Sequence, residues 1–79
     1  MPAAYMLLNT KPDSEMETIS RTKEILDSRM AARYEVQGVY GVYDIVVRVE
    51  CDEMDDLRDI LARVRRIGKV VSTMTMLVS

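Results

Sequence analysis

The chain has 79 residues, 48% of them hydrophobic and 30% charged, and a formal net charge of −2 at pH 7. That composition describes one soluble globular domain, and the acidic balance without a basic stripe argues against a direct nucleic-acid partner, whose phosphates would demand clustered Lys and Arg. A lone Cys51 cannot close an intramolecular disulfide, and with no histidine at all neither a Cys/His nor a Ser/His pair can be built.

A domain of this size buries only about 60 to 65% of the surface its unfolded form exposes, so it has reason to associate. No apolar stretch is long enough for a signal peptide or a membrane span, which makes the cytoplasm the expected compartment and a membrane partner unexpected.

Residues 3–9 read as a first strand that is apolar on both faces, Tyr5 and Leu7 alternating with Ala4, Met6 and Leu8. Lys11, Pro12 and Asp13 end it. Ser14 and Glu17 then have capping-box spacing, and Glu15 and Glu17 suit the positive end of a helix dipole, so a helix is expected to start here. Its apolar stripe is expected to run through Met16, Ile19, Lys23, Leu26 and Met30, with Ile25 at the margin.

A second strand is expected over residues 32–40, with Tyr34, Val36, Gly38 and Tyr40 alternating against Arg33, Glu35, Gln37 and Val39. A third follows over residues 45–51, where Ile45, Val47, Val49 and Cys51 form one face and Cys51 reads as a small buried hydrophobe. Asp52 is the expected N-cap of a second helix, because Met54, Leu57, Ile60, Leu61, Val64 and Ile67 recur at helical spacing. Gly68 is its expected stop, and residues 69–78 form the last strand.

The acidic set Asp52, Glu53, Asp55, Asp56 and Asp59 reads as a solvated helix start rather than a hard-metal site, and no metal or cofactor is expected. Met16, Met30 and Met54 read as helix packing, and Met74 and Met76 as interface candidates.

The order strand, helix, strand, strand, helix, strand specifies an α+β, ferredoxin-like βαββαβ fold: a four-stranded antiparallel sheet with two helices on one face. The other face stays apolar in the first and last strands, and two such faces are expected to pack together in a dimer.

The joint between the second and third strands carries the functional signal. Gly41 can adopt positive φ and allow a reversal, and Asp44 brings a carboxylate to a turn with free backbone N–H groups, the minimum equipment for holding a zwitterion.

Residues 39–47, Val-Tyr-Gly-Val-Tyr-Asp-Ile-Val-Val, are similar to the G-x-Y-D turn and flanking apolar strands of the C-terminal effector domain (RAM domain) of the Lrp/AsnC feast/famine transcription regulators. Residues 67–75, Ile-Gly-Lys-Val-Val-Ser-Thr-Met-Thr, resemble that family's last-strand pattern of paired valines and T-x-T. The similarity runs nearly end to end and implies a domain that binds a small effector, often an amino acid, where dimers meet in higher closed rings. It also implies the site residues: Gly41, Val42, Tyr43 and Asp44 from the turn, Thr73 and Thr75 from the last strand, and Ser72 beside them. Asp44 would accept from the effector's ammonium group, and Gly41 and Val42 N–H groups with a Thr hydroxyl would donate to its carboxylate.

Two departures stand out. The first core strand begins near residue 3, so residues 1–79 are expected to be a single effector-binding and oligomerisation domain without a DNA-binding domain, acting on transcription through a full-length regulator as partner. Tyr40 is larger than the small residue expected before the glycine. Two other readings stay open: a purely structural assembly module, and a small cofactor-free dimeric enzyme, which the absent histidine and the lack of paired inward carboxylates disfavour.

Overall fold

The computed structural model describes residues 1–29 and 31–78. Its elements are β1 (Ala3–Thr10), α1 (Glu15–Ser28), β2 (Arg33–Gly38), β3 (Ile45–Glu50), α2 (Met54–Arg65) and β4 (Val70–Val78). The strands form one antiparallel sheet in the order β2-β3-β1-β4, the ferredoxin-like arrangement expected from the element order.

Period-two alternation sorts the strand residues between faces. Met6 stands opposite Val47 and Thr75 on the side covered by the helices, and Tyr5 stands opposite Arg48 and Met76 on the open side. The core lies under the helices: Ala4, Met6 and Leu8 of β1, Ile45, Val47 and Val49 of β3 with Cys51 beyond it, Ile25 and Leu26 of α1, and Leu57, Ile60, Leu61 and Val64 of α2. Each large aliphatic side chain fully withdrawn from water here contributes roughly 1.5–3 kcal/mol.

The helices differ from expectation in detail. In α1 the buried residues are Thr18, Thr22, Ile25 and Leu26, while Met16 and Lys23 are exposed and Ile19 is half-buried. Leu26, Ile25 and partly Ile19 do face the core, but the stripe is rotated towards two threonines whose methyl groups can pack on the sheet, and Met16 and Lys23 fall outside it. The expected place of Met30 on that stripe lies outside the described residues. Ser14 is the N-cap of α1, but its side chain makes no capping bond and approaches the Pro12 carbonyl instead, at 3.4 Å. The capping box is therefore not formed.

The N-cap of α2 is Glu53 rather than Asp52, also without a side-chain bond. Its C-terminus closes through Arg66 N–H to the Arg63 and Val64 carbonyls, so Gly68 lies beyond the stop and does not make it. Met54 is 38% exposed, so it packs less fully than expected of it. β2 is shorter than expected, because its ladder ends at the Gly38–Ile45 pair.

Candidate functional site

The β2–β3 connection is a loop rather than a two-residue hairpin. Val39 N–H donates to the Asp44 carbonyl at 2.8 Å and closes it, leaving residues 40–43 as its tip. Gly41 has φ 144°, a conformation that a side chain would strain. Tyr40 and Val42 project from the tip fully into solvent, an unusual cost for large apolar residues.

Apart from the carbonyl that closes the loop, Asp44 is tied to β1: its side chain does not bond to its own turn. Its N–H donates to the Leu8 carbonyl at 2.9 Å, and its Oδ2 accepts from Thr10 N–H at 2.9 Å and from Thr10 Oγ1 at 3.5 Å. Thr10 ends β1 where the β1–β4 register slips between Asn9 and Thr10, so the carboxylate satisfies an amide at an irregular strand end. Only one carboxylate oxygen is used in these bonds.

The Asp44 side chain also lines a groove of about 390 Å³ bounded by Glu15, Met16, Ile19, Gly38, Val39 and Tyr40. It combines two carboxylates with apolar walls and the first residues of α1, whose leading N–H groups have no intrahelical acceptor. Such a groove can take an ammonium group at Asp44 or Glu15 and an apolar side chain against Met16, Ile19 and Tyr40.

The remaining residues implied by the resemblance fall elsewhere. Tyr43 lies half-buried with its hydroxyl 3.9 Å from Met74 Sδ, reaching across the open sheet face towards β4. Ser72 is on that face too and accepts from Asn9 Nδ2 at 3.1 Å. Thr73 and Thr75 stand opposite Leu8 and Met6, on the helix side of β4. Thr75 Oγ1 is bonded to Arg65 at 3.0 Å and borders a different groove, formed with Arg58, Leu61 and Leu77. Since β1 separates β3 from β4, the threonines lie about 10 Å from the turn at ordinary strand spacing. One chain does not bring all seven residues to one point.

Sequence reasoning missed Thr10, which anchors Asp44, and Glu15, Met16 and Ile19, which build the groove wall. An exposed methionine at the start of α1 would have been the signal for that wall, had it not been read as core. No group of three or more His, Cys, Asp or Glu among the described residues is gathered as metal ligands would be, and no described helix is long and apolar enough to cross a membrane.

No protein-family model matches the chain. In structure it matches FFRP-DM1 with 29% identity and a TM-score of 0.75, covering 100% of both chains. The chain resembles the effector-binding domain of the Lrp/AsnC regulators. Escherichia coli AsnC has the same fold, at 22% identity and a TM-score of 0.60 over 98% of this chain and 50% of AsnC. In sequence, 72 residues are 35% identical to homocitrate synthase of Sulfolobus acidocaldarius. That match covers 91% of this chain, which spans only 15% of the length of the curated relative. A segment similar to this chain therefore lies inside a much longer chain.

Proposed function

We propose that the chain is a sensing and oligomerisation module that binds an amino acid at contacts between its own dimers. The observation that carries this reading is the groove at Asp44, which sets carboxylates beside apolar walls at the foot of a loop whose tip is itself apolar and exposed. A neighbour seated on Tyr40 and Val42 would roof that groove. The distance between the turn and Thr73 or Thr75 supports the same arrangement, because those hydroxyls reach one ligand together with Asp44 only if they come from another copy.

The apolar walls favour an aliphatic or otherwise apolar amino acid. Its ammonium group would meet Asp44, and its carboxylate would meet N–H groups of the loop or of the start of α1. Ligand binding would shift assembly by its affinity difference between assembled and separated states. Longer chains carrying the same module, full-length regulators among them, would receive the signal through mixed assemblies.

The test separates the carboxylate's two duties. Asp44→Asn keeps an oxygen for Thr10 N–H and removes the charge, so fold and dimer should persist while amino-acid affinity falls about tenfold or more, as for loss of a charge-assisted bond. Native mass spectrometry with an amino-acid pool reads subunit number and bound mass together. An unchanged ligand response in Asp44→Asn would overturn the reading. Loss of higher assembly in that variant with no ligand bound to either protein would favour the purely structural module.

A further inference from the structure

Helix α1 has a groove along each flank. The second, of about 470 Å³, lies between α1, the C-terminal end of α2 and the loop leading into β4. We infer that it binds a small anion bearing a di- or triphosphate group, as in a nucleotide. The inference does not depend on the amino-acid site.

Four of the chain's 11 cations, Arg21, Arg63, Arg66 and Lys69, converge on this groove, although the chain as a whole is acidic. Glu17 is the one carboxylate in the lining. Arg21 is paired with Glu24 at 3.0 Å and Arg63 with Asp59 at 3.0 Å, and Asp59 also approaches Arg29 at 3.6 Å, so two of the guanidinium groups already have carboxylate partners. Arg66 and Lys69 enter none of the ion pairs among the described residues, and both are exposed. Two cations are thus available for an incoming anion.

A structural duty accounts for part of this set. The C-terminus of α2 carries about half a negative charge, which one cation in the last turn offsets. The others exceed that need. They also sit on opposing walls, Arg21 on α1 and the rest on α2 and its loop, which suits a compact multivalent anion gripped from both sides. Guanidinium groups match phosphate oxygens bidentately.

Ile25 and Ile67 supply an apolar floor, and the volume falls within the range of small-molecule sites, about 300–1,000 Å³. A nucleic-acid backbone would instead need a basic track continuing past the groove, across a protein whose net charge is −2.

Calorimetry on the intact chain with ATP, ADP, pyrophosphate, inorganic phosphate and adenosine tests the inference at low and physiological ionic strength. ATP and ADP should bind at least about tenfold more tightly than adenosine or inorganic phosphate, one charge-assisted bond being worth that factor. Arg66→Gln with Lys69→Gln should weaken ATP about tenfold or more per bond lost. Glu17→Gln should tighten it. Pyrophosphate equal to ATP would support a non-nucleotide source of the same group, and pyrophosphate weaker than ATP a nucleotide. Adenosine binding as well as ATP, an unweakened double variant, or displacement of ATP by duplex DNA at equal phosphate concentration would each overturn the inference.

Discussion

The two faces of the sheet are made by the same four strands and have opposite fates. On the covered face Met6, Leu8, Ile45, Val47 and Val49 are at most 1% exposed, and the chain's own helices complete the packing. The open face divides down its middle. Its β1–β4 half is apolar, with Tyr5, Met74, Met76 and Val78 all 38–49% exposed and Leu7 half-buried among them. Its β2–β3 half carries Arg33, Glu35, Gln37, Arg48 and Glu50, with Val46 as the apolar residue among them. Arg48 marks the seam, 5.9 Å from the Tyr5 ring centre and 3.3 Å from Glu50, and that hydrogen-bonded carboxylate pushes its pKa upward. The covered face thus gives the fold its stability, and the half-apolar open face is left uncovered by the described residues of the chain.

The sharpest way to break the covered face is Leu8→Ala. Leu8 is fully buried at the centre of the sheet, so truncation should cost about 2–5 kcal/mol, transfer and cavity terms together. Against a total of roughly 4–12 kcal/mol for a domain of this length, that is enough to lower the urea midpoint steeply or to unfold the chain. A shift under about 0.5 kcal/mol, the level of ordinary surface substitutions, would show that the face is not the core described here.

On the open face the same logic predicts loss of assembly without loss of fold. Met74→Glu with Met76→Lys should dissociate the proposed dimer while leaving the far-ultraviolet circular dichroism of the protomer intact. Glu35→Gln, on the charged half, should leave the sedimentation coefficient alone. If the methionine pair sediments like the parent protein and the Glu35 variant does not, contact lies on the charged half and the division is misjudged.

Element order, the covered face and the apolar β1–β4 strip were legible in the sequence, because strand alternation is a local property and both alternating sets of β1 and β4 contain Leu, Met or Val. The α1 stripe was legible at Ile19, Ile25 and Leu26 but not in its rotation, since buried Thr18 and Thr22 carry no hydropathy signal and their hydroxyls lack partners among the described residues. The site was legible only in part. Gly41 and Asp44 announce a turn, and Gly41 does adopt positive φ. That Asp44 reaches back to Thr10, 34 residues earlier, depends on the register of β1 against β3, which no local pattern encodes. Thr73 and Thr75 came through resemblance, and the sheet sets them on the far side of β1.

The smallest effect sharpens the comparison at the margin of the covered face. Cys51 follows β3 and is buried, and this burial, with the nearby Asp56 and Asp52 carboxylates adding to it, raises the thiol above its ordinary pKa of 9.0. The unfolded thiol therefore ionises first as pH rises, the unfolded state holds fewer protons, and stability must fall from about pH 9 upward until the folded thiol also ionises. Tyr34, whose hydroxyl donates to Asp27 at 2.6 Å, is raised in the same sense from 10.0 and extends the fall to higher pH. Below pH 8 neither group contributes a slope. Urea midpoints measured from pH 7 to pH 10 should decline less steeply in Cys51→Ala than in the parent, whatever constant the lost thiol volume subtracts from both ends. A thiol reagent at pH 8 should label the native protein only at the rate of its unfolding, because the sulfur is both sealed and protonated. Equal slopes together with rapid labelling would mean that the margin of the covered face opens to water, and that the helices seal the sheet less completely than its centre implies.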